Sequence, residues 1–481
     1  MKKDFSLSQN FARKRNLFVP YHLFSAKSST IILKTCKPRL ESHSKRENML
    51  KREAYQQLLD WKYSPSRKPL LLRGARHTGK TTLLKEFGEK EFSDVVYLNF
   101  EEDPLLDSIF TGKLSADYLL RFIGILLEKP IEDDSLIIFD EVQNSPKALH
   151  ALKYFEKERP DIPIVAAGSL LGVYLSQDSS FPIRKVDLLT LYPLSFLEFL
   201  DVIGEDKLRK VLKENGQRTL PEFFHERLII LLKEYFLVGG MPKAVSTYIQ
   251  TRDFGLVRKV QQEILQSYAL DFTKETSSSD AKRIAKVWKN IPKQLSQKRK
   301  IFSYAKIHKN ARAREYEPAI QWLIDAGLVL PCYQSYEPSF FLSLSGKISK
   351  KLFLLDVGLL TAIFAVPALS LFEEDALFYS REAAFLENFT AQALFPQALL
   401  LHYWSSQNQA EVDFLIAGHG EIFPLEVSSE VNKKKKALDV YKSKYAPQHL
   451  LRSTPNNFQT DGKVENIPLY AIELIQRFFV D

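Results

Sequence analysis

The stretch LLLRGARHTGKTTLL, residues 70–84, decides the fold of this chain. Its leucines predict a buried strand, and the residues after Gly79 predict a helix. Between the two, residues 74–81 read G-x-x-x-x-G-K-T, the pattern of a phosphate-binding loop in the strand-to-helix context that such a loop needs. The glycines let successive backbone N–H groups point inward, and the N-terminus of the helix adds positive potential. The pattern therefore predicts a triphosphate site.

The residues of this loop have distinct predicted roles. We expect Lys80 to reach the β- and γ-phosphates and to act in catalysis, and we expect the Thr81 hydroxyl to bind Mg²⁺. The predicted nucleotide contacts come from Gly74, Ala75, Arg76, His77, Thr78, Gly79, Lys80, Thr81 and Thr82.

A second motif, SLIIFDEVQ at residues 135–143, ends a buried strand with two acids. We expect Asp140 to hold the metal ion through water and Glu141 to polarise the attacking water during hydrolysis. An apolar run followed by acids is a weak signal alone. Here the acids follow the phosphate-binding loop with one predicted strand between them. The two motifs together therefore indicate a nucleotide site much more specifically than either does alone.

Three further residues are candidates at the same site. Ser169 ends the next predicted strand and is expected to sense the γ-phosphate or the water, with a helix cap as the alternative. Arg184 and Lys185 precede the fifth strand and could approach the phosphates of this or a neighbouring subunit, with a solvated pair as the alternative. No N/T-K-x-D motif for guanine occurs, so we expect ATP with Mg²⁺ as the ligand.

Short apolar runs alternate with helix-length segments through the first half of the chain, which predicts an α/β fold with a parallel sheet covered on both faces. From about residue 200 to residue 276 the pattern is helical. The C-terminal part is expected to combine helices with strands LHYW, AEVDFLIAG, EIFPLEVSS, HLLRST and PLYAIEL. The five strands of the predicted parallel sheet are PLLLR (69–73), VVYLNF (95–100), LIIFD (136–140), PIVAAGS (163–169) and KVDLLTLY (185–192).

Length and composition set the class of protein. The 481 residues exceed a single core, and 45% hydrophobic with 26% charged residues is ordinary for a globular chain. No apolar run is long enough to span a membrane, so no membrane partner is expected. The two cysteines, Cys36 and Cys332, form neither a disulfide framework nor a metal-ligand pair. This pattern favours a reducing, cytoplasmic location.

The net charge of +9 is concentrated near the N-terminus, because residues 1–48 contain eleven Lys or Arg and three acids. The remaining chain is nearly neutral, so its global charge says little about a polyanionic partner. The basic segment lacks the apolar core of a secretory signal. Three interpretations stay open for it: a disordered tail, a transit-like peptide, or translated leader upstream of a start at Met49.

From about Met49 onward, the motifs resemble those of prokaryotic AAA-type ATPases that carry a C-terminal DUF4143 domain. The likeness rests on RGARHTGKTTLLKEFG, LIIFDEVQNSPKALHALKYF, AAGSLLGV, LYPLSFLEFL, YFLVGGMPKAV, DAGLV, LFLLDVGLL, ENFTAQ and AEVDFLI with PLEV, in that order. It implies a STAND-like nucleotide switch. It also implies that the GGMP segment, with Gly240, places Pro242 near the adenine, where a helix-ending turn is the alternative.

The resemblance also implies a division of the chain. The ATPase core is followed by a helical lid, a winged helix and a C-terminal α/β domain related to the PD-(D/E)xK restriction endonucleases. The third helix of the winged helix is expected to end at Gly327. The expected parts are a basic extension (1–48), the AAA ATPase core (49–200), the lid (201–275), the winged helix (276–375) and the DUF4143 domain (376–481).

The C-terminal domain departs from the nuclease pattern at one position. By resemblance, Glu387, Asp413 and Glu426 match the metal-binding acids of such nucleases. Ser428 stands where the pattern needs a lysine, and a neutral hydroxyl does not replace an ammonium group. The lysine run at residues 433–436 is expected to be a solvated helix face. DNA cleavage is therefore not expected, although the fold can persist as a binding scaffold.

A basic stretch precedes or opens the third helix of the expected winged helix. Its side chains suit contacts with the phosphates of double-stranded DNA. The alternative is a packing module that reports the nucleotide state without DNA. The residues concerned are Lys306, His308, Lys309, Arg312 and Arg314.

Three hypotheses for function follow. The primary one is an ATPase that acts as a nucleotide-dependent switch, alone, as a homo-oligomer or with a protein partner. The second is an ATP-gated DNA nuclease of the PD-(D/E)xK type. The third is a nucleotide-binding scaffold with negligible hydrolysis.

Overall fold

The computed structural model describes residues 50–112, 114–338, 349–368, 382–397, 400–406, 410–418, 420–429 and 436–476. The basic extension 1–48 with its cysteine, and Lys433–Lys435, lie outside the described residues. In the described part, no helix combines the length and the apolar character that crossing a membrane requires.

A five-stranded parallel sheet forms the first half of the structure, in the order β2-β3-β4-β1-β5. All five predicted strands are confirmed. The strands are β1 (Leu70–Arg73), β2 (Asp94–Asn99), β3 (Ser135–Asp140), β4 (Ile164–Gly168) and β5 (Asp187–Thr190). Strand β4 lies between β1 and β3, so the phosphate-binding loop and the two acids emerge at the same edge of the sheet, on either side of one strand.

Helices cover both faces of this sheet. They are α1 (Glu53–Lys62), α2 (Lys80–Glu91), α3 (Ala116–Leu126), α4 (Pro146–Glu158) and α5 (Leu171–Gln177). Side chains alternate across a strand, so β3 supplies two cores. Ile137 and Phe139 pack with α3 and α4. Leu136 and Ile138 pack with α1 and α2. Burial on both faces explains why β3 reads as a continuous apolar run.

A helical region follows, as predicted. A capping box of Ser195 and Glu198 starts its first helix, and the predicted boundary at 275/276 falls in a three-residue turn that Ser277 closes as the N-cap of the next helix. The helices are α6 (Phe196–Val202), α7 (Asp206–Asn215), α8 (Glu222–Val238), α9 (Pro242–Thr251), α10 (Phe254–Lys274), α11 (Ser278–Leu295) and α12 (Ala313–Asp325).

The second of the three helices expected for the winged helix is much shorter than predicted. Residues Tyr304–Lys306 form a single 3-10 turn between α11 and α12. Helix α12 does end before Gly327, whose φ of +71° lies in the left-handed region that glycine tolerates. Two antiparallel strands, β6 (Val329–Ser335) and β7 (Lys350–Leu354), follow it.

A mixed eight-stranded sheet, in the order β12-β13-β11-β10-β9-β8-β6-β7, forms the C-terminal part. Strand β6 pairs in parallel with β8, so one sheet crosses the predicted boundary at 375/376. The pairing gives β8 a neighbour and so covers an edge that would otherwise be unpaired. The remaining elements are α13 (Val357–Ile363), α14 (Glu382–Leu394), β8 (Leu401–Ser406), β9 (Ala410–Gly418), β10 (Glu421–Val427), α15 (Lys436–Tyr445), β11 (Leu450–Thr454), β12 (Gln459–Asp461) and β13 (Val464–Pro468).

One predicted strand of this part is wrong. The segment PLYAIEL contributes only Pro468 to a strand, and Leu469–Leu474 form a 3-10 helix. Tyr470 and Ile472 are both fully or almost fully buried. A short apolar run buried on all sides does not show in its periodicity which secondary structure it adopts.

Candidate functional site

The loop between β1 and α2 is held in one backbone path by two glycines. A β-carbon on Gly74 would lie 2.3 Å from the carbonyl oxygen of Leu191, so no side chain fits there. Gly79 caps α2 with a φ of +91°. A β-carbon on Gly79 would lie 3.4 Å from Cγ of Pro242, which places that proline beside the start of α2.

Lys80 lies inside the loop. Its side chain is 5% exposed, and Nζ donates hydrogen bonds to the carbonyl oxygens of Gly74 (2.9 Å) and Ala75 (3.1 Å). Burial lowers the pKa of Lys80 to about 8, although the charges of Glu141 and Asp140 oppose the shift. The ammonium group is thus held against the backbone of the loop, and an anion bound beside it would stabilise its charged form.

Thr81 and Asp140 lie in direct contact. The Thr81 hydroxyl donates a hydrogen bond of 2.6 Å to Oδ2 of Asp140. The same oxygen accepts a 2.8 Å bond from the Tyr97 hydroxyl, and Oδ1 accepts a bond from the backbone N–H of Glu141. Asp140 is 1% exposed. The two predicted metal ligands are therefore brought together by separate elements, while Thr82 faces solvent on the first turn of α2.

Glu141 is fixed by three hydrogen bonds. Its Oε2 accepts bonds from the backbone N–H (3.1 Å) and hydroxyl (2.9 Å) of Ser169 and from Nε2 of Gln143 (2.7 Å). Burial raises the pKa of Glu141, but the bond from Gln143, the charge of Lys80 and the bonds from Ser169 outweigh it and hold the pKa below its ordinary value. Glu141 is accordingly a carboxylate at neutral pH, and Ser169 sits beside it.

Helix α10 lies over the outer side of the loop. The Arg76 guanidinium pairs with Asp271 at 2.6 Å, and the Tyr268 hydroxyl donates to the Arg76 carbonyl oxygen at 2.9 Å. Nε2 of His77 lies 2.8 Å from the Ser267 hydroxyl. Burial and the nearby charges of Arg76 and Lys80 lower the pKa of His77 to about 4, so its imidazole is neutral at pH 7.

The GGMP turn links the loop to a distant helix. The backbone N–H of Gly240 donates to Oδ2 of Asp356 at 2.6 Å, and its carbonyl oxygen accepts from Leu194. Asp356 is fully buried and also caps α13 through the backbone N–H of Leu359. The turn that presents Pro242 to the loop is therefore held by the element that follows β7.

Arg184 and Lys185 lie away from the loop of this subunit. Their 3-10 turn precedes β5, whose first residue pairs with Leu70 at the start of β1, whereas the loop follows the end of β1. Lys185 pairs with Glu156 at 3.0 Å. The prediction that they approach the phosphates of their own subunit is wrong, because they sit at the opposite edge of the parallel sheet.

Three residues at the site were missed from the sequence. Arg52, just before α1, donates to the carbonyl oxygen of Thr78 at 3.0 Å and pairs with Glu198. Tyr97 and Asp271 contact Asp140 and Arg76 as described above. None of the three belongs to a contiguous motif, although Tyr97 lies two residues before the end of β2 and could have been placed at the edge from which Asp140 emerges.

The acids of the C-terminal domain are engaged by cations. Lys351 on β7 has a 1% exposed side chain, and its Nζ lies 2.7 Å from Glu411 and 3.5 Å from each of Glu387 and Asp413. Lys300 also pairs with Glu387.

Glu426 is paired in the same manner. Its Oε2 lies 3.0 Å from Arg452. Ser428 follows β10, and its backbone N–H donates to the Ser453 carbonyl oxygen. Within the described ranges, no group of three or more His, Cys, Asp or Glu side chains is arranged to hold a metal ion. The acids matched to the nuclease pattern are thus found in ion pairs.

The basic residues near α12 are all exposed. Nε2 of His308 lies 3.1 Å from the Tyr316 hydroxyl, and Lys306 donates to the side chain of Gln297. Of the other three, Lys309 and Arg312 precede α12, and Arg314 lies in its first turn.

Solved structures offer distant likenesses. A Walker-type ATPase of Pyrococcus abyssi is 16% identical with a TM-score of 0.43, covering 68% of this chain and 99% of that one. The Orc1 protein of Aeropyrum pernix in complex with DNA is 14% identical with a TM-score of 0.31, covering 67% and 94%. The RuvB Holliday junction branch migration motor of Thermotoga maritima is 15% identical with a TM-score of 0.27, covering 60% and 90%.

Three family models match the chain in succession. Residues 66–200 match an AAA domain, residues 229–370 match a domain of unknown function, DUF8612, and residues 382–472 match a domain of unknown function, DUF4143. None of the curated proteins matches significantly. The DUF8612 match runs across the predicted boundary between lid and winged helix. The chain therefore contains an AAA domain with a phosphate-binding loop, followed by a DUF8612 region and a C-terminal DUF4143 domain.

Proposed function

We propose that this chain binds Mg-ATP at its phosphate-binding loop and hydrolyses it as a nucleotide-dependent switch. The observation that carries the proposal is the 2.6 Å contact between the Thr81 hydroxyl and Asp140, beside the buried Lys80. A hydroxyl and a carboxylate are the hard oxygen donors that Mg²⁺ prefers, so the residues fit the ion. When bound, Mg²⁺ neutralises charge on the phosphate oxygens. Lys80 and the amides of residues 74–80 hold the triphosphate.

Glu141 is the catalytic residue of this proposal. Its pKa lies below the ordinary value, so it is ready to accept a hydrogen bond from water at neutral pH. Ser169 and Gln143 hold its carboxylate in place and so position it. The third hypothesis, a scaffold with negligible turnover, differs only in whether Glu141 acts.

The switch part of the proposal is supported by contacts from the loop to the rest of the chain. Arg76 and His77 contact Asp271 and Ser267 of α10. Gly327 packs against the loop, since a β-carbon on it would lie 3.4 Å from the backbone nitrogen of Ala75. Pro242 lies beside Gly79, on the turn that Asp356 holds. A conformational change of the loop on hydrolysis would therefore act directly on three parts of the DUF8612 region, namely α10, Gly327 and the GGMP turn.

We retain the division into a core (49–200), lid (201–275), winged helix (276–375) and DUF4143 domain (376–481) as part of the proposal. The order of helices α11 and α12 followed by strands β6 and β7 supports the winged-helix part of this division. The exposed cations from Lys306 to Arg314 support association with double-stranded DNA. In the DUF4143 domain, ion pairs with lysine and arginine favour a binding scaffold of PD-(D/E)xK type over a nuclease.

The test is Glu141→Gln, with Glu102→Gln as the matched control because Glu102 is an exposed acid near the same edge of the sheet. We expect Glu141→Gln to bind ATP with the parent's affinity and to lose at least about 100-fold in turnover, since the carboxylate that orients water is gone. Equal turnover in parent and Glu141→Gln would contradict the catalytic role. ATP binding without turnover in the parent would favour the scaffold.

A further inference from the structure

The basic character of residues 281–314 exceeds what the overall charge suggests. This stretch contains twelve Lys and Arg residues and no Asp or Glu, while the rest of residues 49–481 hold more acids than bases. The net charge of residues 49–481 hides this asymmetry, because the positive charge of residues 281–314 nearly cancels the negative charge of the rest. Every residue of the stretch belongs to the described structure.

Most of these cations have no acidic partner among the described residues. Arg283 pairs with Asp280, and Lys300 pairs with Glu387. For the other ten, no carboxylate oxygen of a described residue lies within 4.0 Å. Surface cations elsewhere commonly pair, as Lys129 does with Asp94 and Lys147 with Asp107. The stretch therefore presents positive charge that the fold does not neutralise.

Four of the ten lie along one side of α11. Lys282, Lys286, Lys289 and Lys293 follow at intervals of four, three and four residues, which places them on a single helical face, and all four are exposed. We call this set the lysine face. It spans roughly 16 Å along the helix axis at about 1.5 Å per residue. Like charges so spaced repel each other, so a bound polyanion would relieve the repulsion.

The opposite side of α11 fixes the lysine face to the domain. Ile284, Val287 and Ile291 are 1% exposed or less. The indole of Trp288 packs edge to face with Tyr268 and Phe272 of α10. The lysines thus stand on a rigid helix rather than on a loop.

We propose that the lysine face binds the phosphate backbone of duplex DNA. This inference rests on the DNA association in the proposed function and deepens it by naming a surface outside the predicted recognition helix α12. Lysine is a compact point charge on a flexible stem, which suits phosphate contacts without base recognition. The lysine face therefore contributes affinity and salt dependence, not sequence preference.

The surroundings of the lysine face favour a duplex over other polyanions. From residue 281 to residue 314, no large hydrophobic or aromatic side chain is exposed. Single strands bind through aromatic stacking platforms, and membrane-surface helices insert apolar anchors, and this stretch presents neither. A duplex carries one charge per about 1.7 Å of its axis, so several phosphates fall within the span of the lysine face.

The test compares two sets of four substitutions in the full chain. One variant replaces Lys282, Lys286, Lys289 and Lys293 with glutamine. The matched control replaces Lys157, Lys207, Lys442 and Lys463 with glutamine, because these lysines are also exposed and lack ion pairs with described residues. Binding of a fluorescent duplex of about 30 base pairs is measured by anisotropy from 50 to 200 mM salt, without nucleotide.

We expect the parent and the control to bind the duplex alike. The lysine-face variant should bind at least about 10-fold more weakly at low salt, and its slope of log affinity against log salt should be shallower by about 3 to 4, as for four lost phosphate contacts. Each variant's circular dichroism spectrum and ATP affinity should match the parent, which shows that the fold and the nucleotide site are intact.

Two outcomes would overturn the inference. One is a lysine-face variant with the control's affinity and salt slope. The other is tighter binding of polyglutamate or of a single strand than of the duplex, which would assign the surface to an acidic protein or to unpaired nucleic acid. Absence of ATP turnover in the parent would contradict the proposed ATPase function. It would not affect the interpretation of the duplex-binding measurements, because these are made without nucleotide.

Discussion

The Thr81 hydroxyl donates a 2.6 Å hydrogen bond to Asp140, across a separation of 59 residues in sequence. Thr81 lies in the first turn of α2, and Asp140 ends β3, with β4 between β1 and β3 in the sheet. This single contact joins the phosphate-binding loop to the acidic motif. It puts a hydroxyl and a carboxylate on the same side of the loop as the Lys80 ammonium, where a magnesium nucleotide needs them.

Removing either oxygen should uncouple nucleotide binding from magnesium. We expect Thr81→Val and Asp140→Asn to lower the Mg²⁺-dependent part of ATP affinity by at least about 10-fold, because each loses an oxygen ligand. Tyr97→Phe is the control, since it also removes a hydrogen bond to Oδ2 of Asp140 but no proposed ligand. Titrations of a fluorescent ATP analogue with Mg²⁺ and with EDTA measure the effect. Equal losses in all three variants would show a structural role only.

Lys351→Met should destabilise the protein strongly. The substitution removes the Lys351 ammonium from Glu387, Glu411 and Asp413, and breaking a buried ion pair typically costs about 3–5 kcal/mol. Lys300 still pairs with Glu387. Without Lys351 these carboxylates bind protons more readily in the folded state, so the loss should be larger at pH 8 than at pH 5. Urea unfolding at both pH values measures it.

The control for this prediction is Lys463→Met, at an exposed lysine of the same domain. It should change stability by no more than about 0.5 kcal/mol. A Lys351→Met variant as stable as Lys463→Met would contradict the account of the acids as an ion-paired cluster. Such a result would reopen a metal-binding role for them.

Asp356→Asn should flatten the dependence of stability on pH. Burial raises the pKa of Asp356 to about 6, although backbone N–H groups of Gly240 and Leu359 oppose the shift. A raised folded-state pKa stabilises fully below the unfolded value of 3.8, and the stabilisation is lost as pH rises through about 6. The variant should therefore gain about 2 kcal/mol relative to the parent between pH 4.5 and 7.5.

Denaturant unfolding across this pH range tests the prediction for Asp356. Asp439→Asn, at an exposed residue of α15, is the control and should follow the parent at every pH. If the free energy of unfolding of Asp356→Asn and of the parent changed in parallel with pH, ionisation of Asp356 would not destabilise the folded state. The link between the GGMP turn and α13 would then be an ordinary charged cap.

Local patterns in the sequence were enough to predict the ATPase core. The strand, loop and helix at residues 70–84 are contiguous, and the acids of SLIIFDEVQ follow directly from their strand, so neighbouring residues carry the signal. The contact between Arg76 and Asp271 spans 195 residues and leaves no local pattern. Its existence depends on how α10 packs, which propensity and periodicity do not determine.

The C-terminal half shows two different reasons for missed features. Ser428 stands where the nuclease pattern has a lysine, yet Lys351 on β7 pairs with Glu387 and Asp413. This is possible because β6 joins the C-terminal sheet, and the order of strands in a sheet cannot be deduced from one sequence. The lysine face was missed for another reason. Only a count of charges along residues 281–314 shows it, and the total charge conceals it.

The most direct test of the account is the affinity of the Lys80→Ala variant for a fluorescent ATP analogue with Mg²⁺. Lys90→Ala is the matched control on the same helix, where the lysine is exposed and pairs with Glu86. We expect parent-like binding by Lys90→Ala and a loss of at least about 100-fold in Lys80→Ala, because the buried ammonium is the charge proposed to contact the phosphates. Parent-like binding by Lys80→Ala would contradict the claim that ATP occupies this loop.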